Sequence, residues 1–437
     1  MMREPVLAWL PEQAEPVAAG TFALDEARPA ARGEFTYGSD FLAHPLAYPL
    51  DPVALPLSRA RQRETRQDGI FGILLDAGPD AWGRRLLEAR LGHAPSPLEA
   101  LLHARGDGAG NLMLGALADR LPARFPALAA LAPAARYFDA VQAGTPYDAG
   151  LHDALRDAGL DRPGTSLGGM KPKLTVAIDG EPWIAKFAER GETAWSVEAE
   201  HAMLAGAAAA GLRACTSRLH RLADDRAVLL VKRFDRAPAP AGGMARLGYA
   251  SGHTVLQLPA DYTGTPRHSY LSLADELRRW CADAGYDARE EQRELWRRLV
   301  FNVLIGNTDD HPRNHGLLRH AHGWRLSPAF DLVPHAGAAR MAQAMPFWLD
   351  EGRPSGTASA QGLLAHCDRF GYAFEEARDA LGEMARQVRD AWRDWMAAAG
   401  MPAEAIARRA SAFGLCDVLL EQLASVVQPR TGRRGRR

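Results

Sequence analysis

The residues best suited to chemistry lie in one polar run, residues 305–316, which directly follows an apolar segment with helical spacing. Within this run, Asp309 and Asn314 have the D-x-x-x-x-N spacing of a phosphoryl-transfer loop. In such a loop the aspartate accepts the proton of the attacking hydroxyl and the asparagine binds magnesium. Asp331, at the end of a later apolar stretch, offers a second oxygen ligand of the kind that Mg²⁺ prefers. The pattern predicts a site for phosphoryl transfer.

Two other interpretations of this run are open. A transition-metal site, as in a phosphohydrolase, would use the four side chains Asp309, Asp310, His311 and His315. Alternatively, the Asp and Asn side chains only cap a helix and hold a turn, which is the default for any single such residue. Neither interpretation explains the lysine, glutamate and glycine loop upstream, so phosphoryl transfer is favoured.

The upstream lysine is Lys186, in an otherwise apolar strand-like segment, residues 183–187. It either lies on the solvent face of a hairpin or is buried, and a buried charge is costly unless it is paired. In the helix predicted over 196–210, Glu200 lies on the apolar face whereas Glu198 points away from it. A strand lysine paired with a glutamate of the next helix is the ion pair that kinases use to hold ATP phosphates.

A glycine-rich loop, residues 164–169, precedes this strand. It is not a Walker A loop, because Lys171 and Lys173 lack the required spacing and the adjacent Ser or Thr. Its position before a predicted hairpin, strands 174–178 and 183–187, favours a role in covering phosphates, since glycine lets backbone N–H groups approach anionic oxygens.

The rest of the chain divides into three predicted domains: 1–150, 151–236 and 237–437. The first is a mixed module with short strands and a helix from residue 79 or 80 to Leu91, followed by a helix that a Ser96–Glu99 capping box begins. Beyond residue 265, helices are predicted over 271–284, 288–305, 357–370, 374–398, 402–412 and 415–427. A β-rich part followed by a helical part predicts two lobes with a cleft between them.

Composition indicates an ordinary globular protein. Among 437 residues, 52 Lys and Arg nearly balance 53 Asp and Glu, so no overall charge favours a nucleic acid or a membrane. The four cysteines are scattered, and neither a signal peptide nor an apolar run of about 20 residues is visible. We expect a soluble, cytoplasmic protein without a membrane partner. The arginine-rich end, residues 430–437, is expected to be a solvated tail.

Four segments resemble the motifs of the HipA family of bacterial kinases, which act as toxins in toxin–antitoxin pairs. These segments are residues 166–173, 230–236, 302–315 and 326–334. The last two are long and specific, and weaker similarity extends over most of the chain. The resemblance implies an α+β, kinase-like two-lobed fold. Such a fold has a β-rich ATP lobe, a helical C-terminal lobe and an added mixed α/β N-terminal subdomain.

The resemblance also implies roles for individual residues. Asp309 is the catalytic base, Asn314 and Asp331 hold Mg²⁺, and Lys186 contacts the phosphates of ATP. The further residues expected to bind the nucleotide are Gly168, Gly169, Lys173, Glu200, Lys232 and Phe234, the last two through the backbone of a hinge that receives adenine. Ser166 matches a serine that family members autophosphorylate to switch themselves off by driving the glycine loop out of the site.

Partners are implied in the same way. Family members phosphorylate translation proteins such as aminoacyl-tRNA synthetases, and a small helix-turn-helix antitoxin neutralises them, so that any DNA contact is indirect. Two alternatives stay open: a catalytically silent regulator within an antitoxin–DNA complex, and a small-molecule or lipid kinase on the same fold.

Overall fold

An antiparallel five-stranded sheet forms the start of the molecule. The structure, a computed structural model, describes residues 2–26, 31–120, 125–144, 171–281, 286–335, 337 and 342–426. The strands of this sheet are β1 (Met2–Trp9), β2 (Pro16–Asp25), β3 (Arg32–Tyr37), β4 (Gln62–Glu64) and β5 (Leu112–Leu114), in the order β4-β3-β2-β1-β5. The helices in this first part of the chain are α1 (Ser39–Ala43), α2 (Gly72–Asp76), α3 (Ala81–Leu91), α4 (Pro97–Ala104) and α5 (Leu131–Gln142).

Three helix ends predicted from sequence are confirmed. Asp80 caps α3, because its carboxylate accepts a hydrogen bond from the Gly83 amide at 2.6 Å, and α3 ends at Gly92, which adopts a left-handed φ of 75°. The capping box of Ser96 and Glu99 begins α4.

A second sheet, of four antiparallel strands, follows. Its strands are β6 (Lys173–Ile178), β7 (Glu181–Lys186), β8 (Ser217–Arg221) and β9 (Ala227–Lys232), in the order β6-β7-β9-β8, with α6 (Ser196–Ala209) between β7 and β8. The predicted hairpin is confirmed: Asp179 and Gly180 both have positive φ, as a two-residue hairpin turn requires.

The remaining part is mainly helical, as predicted. Its helices are α7 (Gly252–Val255), α8 (Tyr270–Trp280), α9 (Ala288–Leu304), α10 (Ala360–Ala365), α11 (Phe374–Ala398), α12 (Ala403–Ala407) and α13 (Leu415–Leu423). Between them lie the short strands β10 (Arg236–Pro238), β11 (Met244–Arg246), β12 (Gly248–Ser251), β13 (Gly316–His320), β14 (Gly323–Leu326), β15 (Trp348–Asp350) and β16 (Arg353–Ser355).

Two predicted helices of this part are wrong in extent. The helix expected over 357–370 is broken, because His366 leaves the helical region at φ −128° and a short 3₁₀ turn follows α10. The helix expected over 402–412 is likewise divided into α12 and a 3₁₀ turn. The last predicted residues of α8, 282–284, and of α13, residue 427, lie outside the described residues. In the part of the chain that the structure describes, no helix has the length and apolar character needed to cross a bilayer.

Two hydrophobic cores hold the elements together. The larger core joins the first sheet and α2 to the helical part. The smaller core joins Trp82 of α3 and Phe138 of α5 to one face of the second sheet, where they pack with Leu174, Val176 and Trp183. Helices from the start of the chain therefore cover one face of the second sheet.

A buried charge cluster joins the first part of the chain to the end of β9. Arg233 and Arg236 both donate to the carbonyl of Gly108 at 2.9 Å, and both bind the Asp235 carboxylate, at 2.8 and 2.7 Å. Asp235 also accepts a hydrogen bond from the Gly110 amide at 2.8 Å. Burial opposes ionisation of this carboxyl, but the two guanidinium groups hold the pKa of Asp235 below its ordinary value.

We expect Asp235→Asn to lower the free energy of unfolding by about 3–5 kcal/mol, because the variant removes the carboxylate that binds two buried arginines and leaves Arg233 with the more distant Asp107 at 3.5 Å. Since folding lowers the pKa of Asp235, this stabilisation is complete above the ordinary carboxyl pKa of about 4 and is lost as the pH falls through the folded-state value. Urea unfolding at pH 7 and in a series of buffers from pH 4 down to pH 2 measures both effects. The matched control is Asp224→Asn, in an exposed pair; an equal loss of stability in that variant would contradict the assignment.

Candidate functional site

Three charged side chains from separate elements meet at one end of the second sheet. Lys186, the last residue of β7, places its Nζ atom 2.6 Å from Oε1 of Glu200 in α6 and 2.9 Å from Oδ1 of Asp331. The Lys186 and Glu200 side chains are 11 % and 2 % exposed, whereas that of Asp331 is 33 % exposed. The structure therefore brings three of the predicted site residues into direct contact, with Asp331 facing the open side.

Burial and pairing act in opposite directions on these groups. Burial alone would lower the pKa of Lys186, but Asp331 and Glu200 outweigh it and raise that pKa. Burial would raise the pKa of Asp331, yet Lys186 and the nearby Lys171 and Lys173 hold it well below its ordinary value. Lys186 and Asp331 are consequently charged at neutral pH, and the site presents a fixed ammonium beside a fixed carboxylate.

The backbone at Asp331 is constrained. Asp331 has a left-handed φ of 60°, a conformation that Asp adopts more readily than bulkier side chains. Just before it, the backbone of Ala329 accepts a hydrogen bond from the Cys215 amide at 2.9 Å, and the Phe330 ring packs against Phe234 with centroids 5.7 Å apart. These contacts fix the direction in which the Asp331 carboxylate leaves the chain.

The expectation for Glu198 is wrong. Most of α6 from Ser196 to Leu204 is buried on every side, so Glu198 does not point into solvent. Its side chain is 6 % exposed and lies 3.3 Å from the guanidinium of Arg221. The buried part of the helix is broader than the helical period suggested, and the ion pair with the more exposed Arg221 compensates for the buried acid.

The polar run after α9 is held by a network of buried amides. The Asn302 side chain, in the last turn of α9, donates to Asp310 at 2.7 Å. Asn307 donates to Oδ1 of Asn302 at 3.0 Å and to the backbone carbonyl of Asp331 at 3.3 Å. His315 Nε2 lies 3.0 Å from Asp310. The network ties the polar run to the segment that carries Asp331.

Within this run, Asp309 and Asn314 lie side by side. The Asn314 amide nitrogen donates to the backbone carbonyl of Asp309 at 3.0 Å, which leaves the Asn314 side-chain oxygen available as a ligand. Asp309 is exposed, and among the described residues its carboxylate has no hydrogen-bond or ion-pair partner. The Asp309 carboxylate is therefore suited to accept a proton, and the neighbouring Asn314 oxygen is suited to bind a cation.

The residues present fit Mg²⁺ better than a transition metal. Asn314 and Asp331 offer amide and carboxylate oxygens, the ligands that Mg²⁺ takes together with phosphate oxygens and water. In contrast, Asp310 is buried and already bonded to Asn302. The described ranges of the chain hold no group of three or more His, Cys, Asp and Glu side chains placed to bind a metal. The structure therefore does not support the transition-metal site that the phosphohydrolase interpretation requires.

The two loop lysines have different surroundings. Lys173, next to Lys186 in the β6–β7 pairing, is buried and donates to Asp80 at 2.7 Å. Lys171 lies 2.7 Å from Glu192 and 3.7 Å from Glu200, and its side chain is 21 % exposed. Lys171 is therefore the more accessible of the two. The predicted loop residues Ser166, Gly168 and Gly169 lie outside the described residues.

The predicted hinge is the end of β9. The Lys232 amide donates to the Thr216 carbonyl at 2.9 Å and the Arg233 amide to the Pro182 carbonyl at 3.0 Å. The Lys232 side chain pairs with Glu181. The amide of Lys232 is thus already used by the sheet and is not free to bind a nucleotide base.

Sequence reasoning missed the residues that position this site. Asn302, Asn307, Asp310 and His315 were either absent from the predicted set or given another role, and Asp80 was seen only as a helix cap. One signal was present for Asn302, because an asparagine in an otherwise apolar helix end must find hydrogen-bond partners when buried.

Comparison with known proteins agrees with this arrangement. The HipA-like C-terminal domain family matches residues 165–392. A Sinorhizobium fredii protein named "Putative kinase Y4mE" is 30% identical over 314 residues, covering 66% of this chain and 68% of that protein. The chain therefore belongs to the HipA family of kinases, and the class of enzyme is a phosphotransferase.

A solved structure shows the fold over nearly the whole chain. HipA of Shewanella oneidensis, solved in complex with HipB and its operator DNA, superposes with a TM-score of 0.69 at 18% identity, over 96% of this chain and 99% of that one. The predicted α+β, kinase-like fold is confirmed.

We expect Asn302→Ala to loosen the polar run without unfolding the protein, because it removes a partner from both Asp310 and Asn307. Amide hydrogen exchange of peptides covering 305–316 should accelerate, while exchange in the first sheet should not change. The control is Gln387→Ala, which removes one side-chain bond to a helix carbonyl. Unchanged exchange in 305–316 would show that the network does not hold the run.

Proposed function

We propose that this chain is an ATP- and Mg²⁺-dependent protein serine/threonine kinase of the HipA type. The observation that carries the proposal is the pairing of Lys186 with both Glu200 and Asp331, next to a polar run in which Asp309 and Asn314 are adjacent. Kinases need these same groups: a lysine for phosphate, oxygen ligands for the metal and a carboxylate for the acceptor hydroxyl. Membership of a kinase family supports the same conclusion.

Each group then has a role. Lys186, held by Glu200, contacts the phosphates of ATP, and Asn314 and Asp331 hold Mg²⁺ through their side-chain oxygens. Bound Mg²⁺ supplies positive charge that offsets the charge of the phosphates. Gly168, Gly169 and a loop lysine cover the nucleotide, with Lys171 favoured over Lys173 because it is more accessible. The segment from Lys232 to Phe234 is the proposed adenine contact, through backbone groups other than the Lys232 and Arg233 amides, which already have partners.

The chemical step is a displacement at the γ-phosphorus. The oxygen of the acceptor hydroxyl bonds to that phosphorus while the bond from phosphorus to the leaving oxygen of ADP breaks. Asp309 takes the proton that the hydroxyl gives up. Because no covalent intermediate with the enzyme forms, the rate depends on how well the buried amide network and the ion pairs position these groups.

The proposal extends to the domains and the partners. Residues 1–150 form an added N-terminal subdomain, 151–236 the ATP lobe and 237–437 the catalytic lobe. A translation protein such as an aminoacyl-tRNA synthetase is the proposed substrate, in the cytoplasm. A small helix-turn-helix antitoxin is the proposed partner, because the HipA structure that shares this fold was solved with HipB and operator DNA.

Asp309→Ala should lower the rate of phosphate incorporation from γ-labelled ATP by about 100-fold or more, since the acceptor proton loses its base. The affinity for the nucleotide should stay within about twofold, because Asp309 does not belong to the Lys186 group. Measuring incorporation together with calorimetric binding of a non-hydrolysable ATP analogue checks both statements.

Asp390→Ala, in an exposed pair on α11, is the control for this experiment. A fully active Asp309→Ala protein would rule out the catalytic assignment. Nucleotide binding without turnover in the unaltered protein would instead favour the silent regulator, and transfer to a lipid or small molecule alone would favour the other alternative.

Autophosphorylation is expected on Ser166. Mass analysis of protein incubated with MgATP should find phosphate there, and Ser166→Ala should remove it without reducing activity on another substrate. Ser425→Ala, at an exposed serine, is the matched control. Phosphate incorporation that is undiminished in Ser166→Ala would refute this modification site.

A further inference from the structure

The short connection between α2 and α3 crosses from one hydrophobic core to the other. Ile73 and Leu74 of α2 belong to the larger core, which contains the helical lobe. Trp82 and Leu86 of α3 belong to the smaller core, which contains the second sheet. The bridging segment, residues 76–80, therefore connects the two cores.

The first end of the bridging segment binds next to the catalytic run. Both oxygens of Asp76 accept hydrogen bonds from Ser251, one from its amide at 2.7 Å and one from its hydroxyl at 2.8 Å. Ser251 caps α7. The following residue, Gly252, donates to the His315 carbonyl at 2.7 Å and is so close to Pro312 that no side chain fits. Asp76 thus acts on the backbone of the run that carries Asp309.

The second end of the bridging segment binds the strand next to Lys186. One oxygen of Asp80 caps α3 by accepting from the Gly83 amide at 2.6 Å. Capping needs only that oxygen, and the other accepts from Lys173 at 2.7 Å. Lys173 lies directly opposite Lys186 in the β6–β7 pairing. Its side chain is 4 % exposed, so the ion pair is a buried contact between α3 and the ATP lobe.

The middle of the bridging segment packs against the turn that binds the hinge. A Cβ atom added to Gly108 would lie 1.8 Å from the Ala77 carbonyl oxygen, so the two backbones are in direct contact. The Gly108 carbonyl accepts the hydrogen bonds of Arg233 and Arg236, just after β9. The segment is therefore anchored at both lobes and at the connection between them.

We propose that the bridging segment fixes the spacing of the two lobes, with Asp76 as a positioning residue for the catalytic run and Asp80 as a positioning residue for the strand of Lys186. This proposal rests on the proposed function for its catalytic consequence, but not for its structural one. Hydrogen bonds of Asp76 and the ion pair of Asp80, both from the first part of the chain, hold the lobes at a set separation. Nucleotide binding therefore closes the cleft only as far as the bridging segment allows.

Distance measurements between spin labels test the structural part directly. The four cysteines, Cys215, Cys281, Cys367 and Cys416, are all buried, so labels go to cysteines introduced at two exposed positions. Asp224→Cys lies in the β8–β9 turn and Glu383→Cys in α11. The distance distribution between these labels should become broader in Asp76→Asn and in Asp80→Asn than in the otherwise unaltered protein. Adding a non-hydrolysable ATP analogue with Mg²⁺ should shift the mean distance more in the variants.

Glu88→Gln is the matched control, since it neutralises an exposed carboxylate on the same helix α3. Distributions in Asp76→Asn and Asp80→Asn that match those of the unaltered protein overturn the proposal, as does equal broadening in Glu88→Gln. If Asp80→Asn does not fold, the double variant Asp80→Asn, Lys173→Met removes the pair without leaving a buried charge and takes its place. Broadening in a protein that transfers no phosphate would refute the proposed function and still support the bridging role.

Kinetics separate positioning from a general loss of stability. Asp80→Asn should weaken binding of the ATP analogue about tenfold, because it releases the strand beside Lys186, whereas Asp76→Asn should bind normally and lose about tenfold or more in rate. Glu88→Gln should change neither. A uniform loss of both binding and rate in the two variants would point to instability alone and contradict separate positioning roles.

Discussion

The site depends on the cost of burying one ammonium group. Lys186 is nearly enclosed, and its charge is tolerated only because carboxylates from α6 and from the segment after β14 lie within 3 Å of it. Those carboxylates belong to parts of the chain that are far apart in sequence. Satisfying this single charge therefore requires the second sheet, α6 and the helical lobe to assume one relative arrangement.

The polar run after α9 is also fixed by buried polar groups that need partners. Asn307 binds the backbone of Asp331, Asn302 binds Asn307, and Asp310 binds Asn302. Each buried polar group obtains its partner from the next, so the polar run has little freedom to adopt another conformation. Asp309 and Asn314 lie at the end of this series of contacts, which explains how the exposed Asp309 keeps a defined position in a loop.

Local patterns predicted the features that depend on neighbours in sequence. The α3 cap, the β6–β7 hairpin and the orientation of Glu200 all follow from spacing within a few residues. Glu198 was misjudged because helical periodicity does not reveal that α6 is covered on nearly all sides. The pair of Asp80 with Lys173 spans 93 residues, and the left-handed backbone of Asp331 depends on tertiary contacts. No local rule identifies either of them.

The smaller core also bears on how the chain folds as it is synthesised. Trp82 and Phe138 leave the ribosome well before the strands that they cover, since β6, β7 and β9 all come later in the sequence. The two rings can pack on each other, with centroids 5.3 Å apart, but the surfaces that the sheet covers stay exposed during that interval, when a nascent chain is most open to chaperone capture or aggregation. Once made, the second sheet is equally dependent on them. We therefore expect a protein cut to the stretch that matches the HipA-like C-terminal domain family to expose Leu174, Val176 and Trp183 to water.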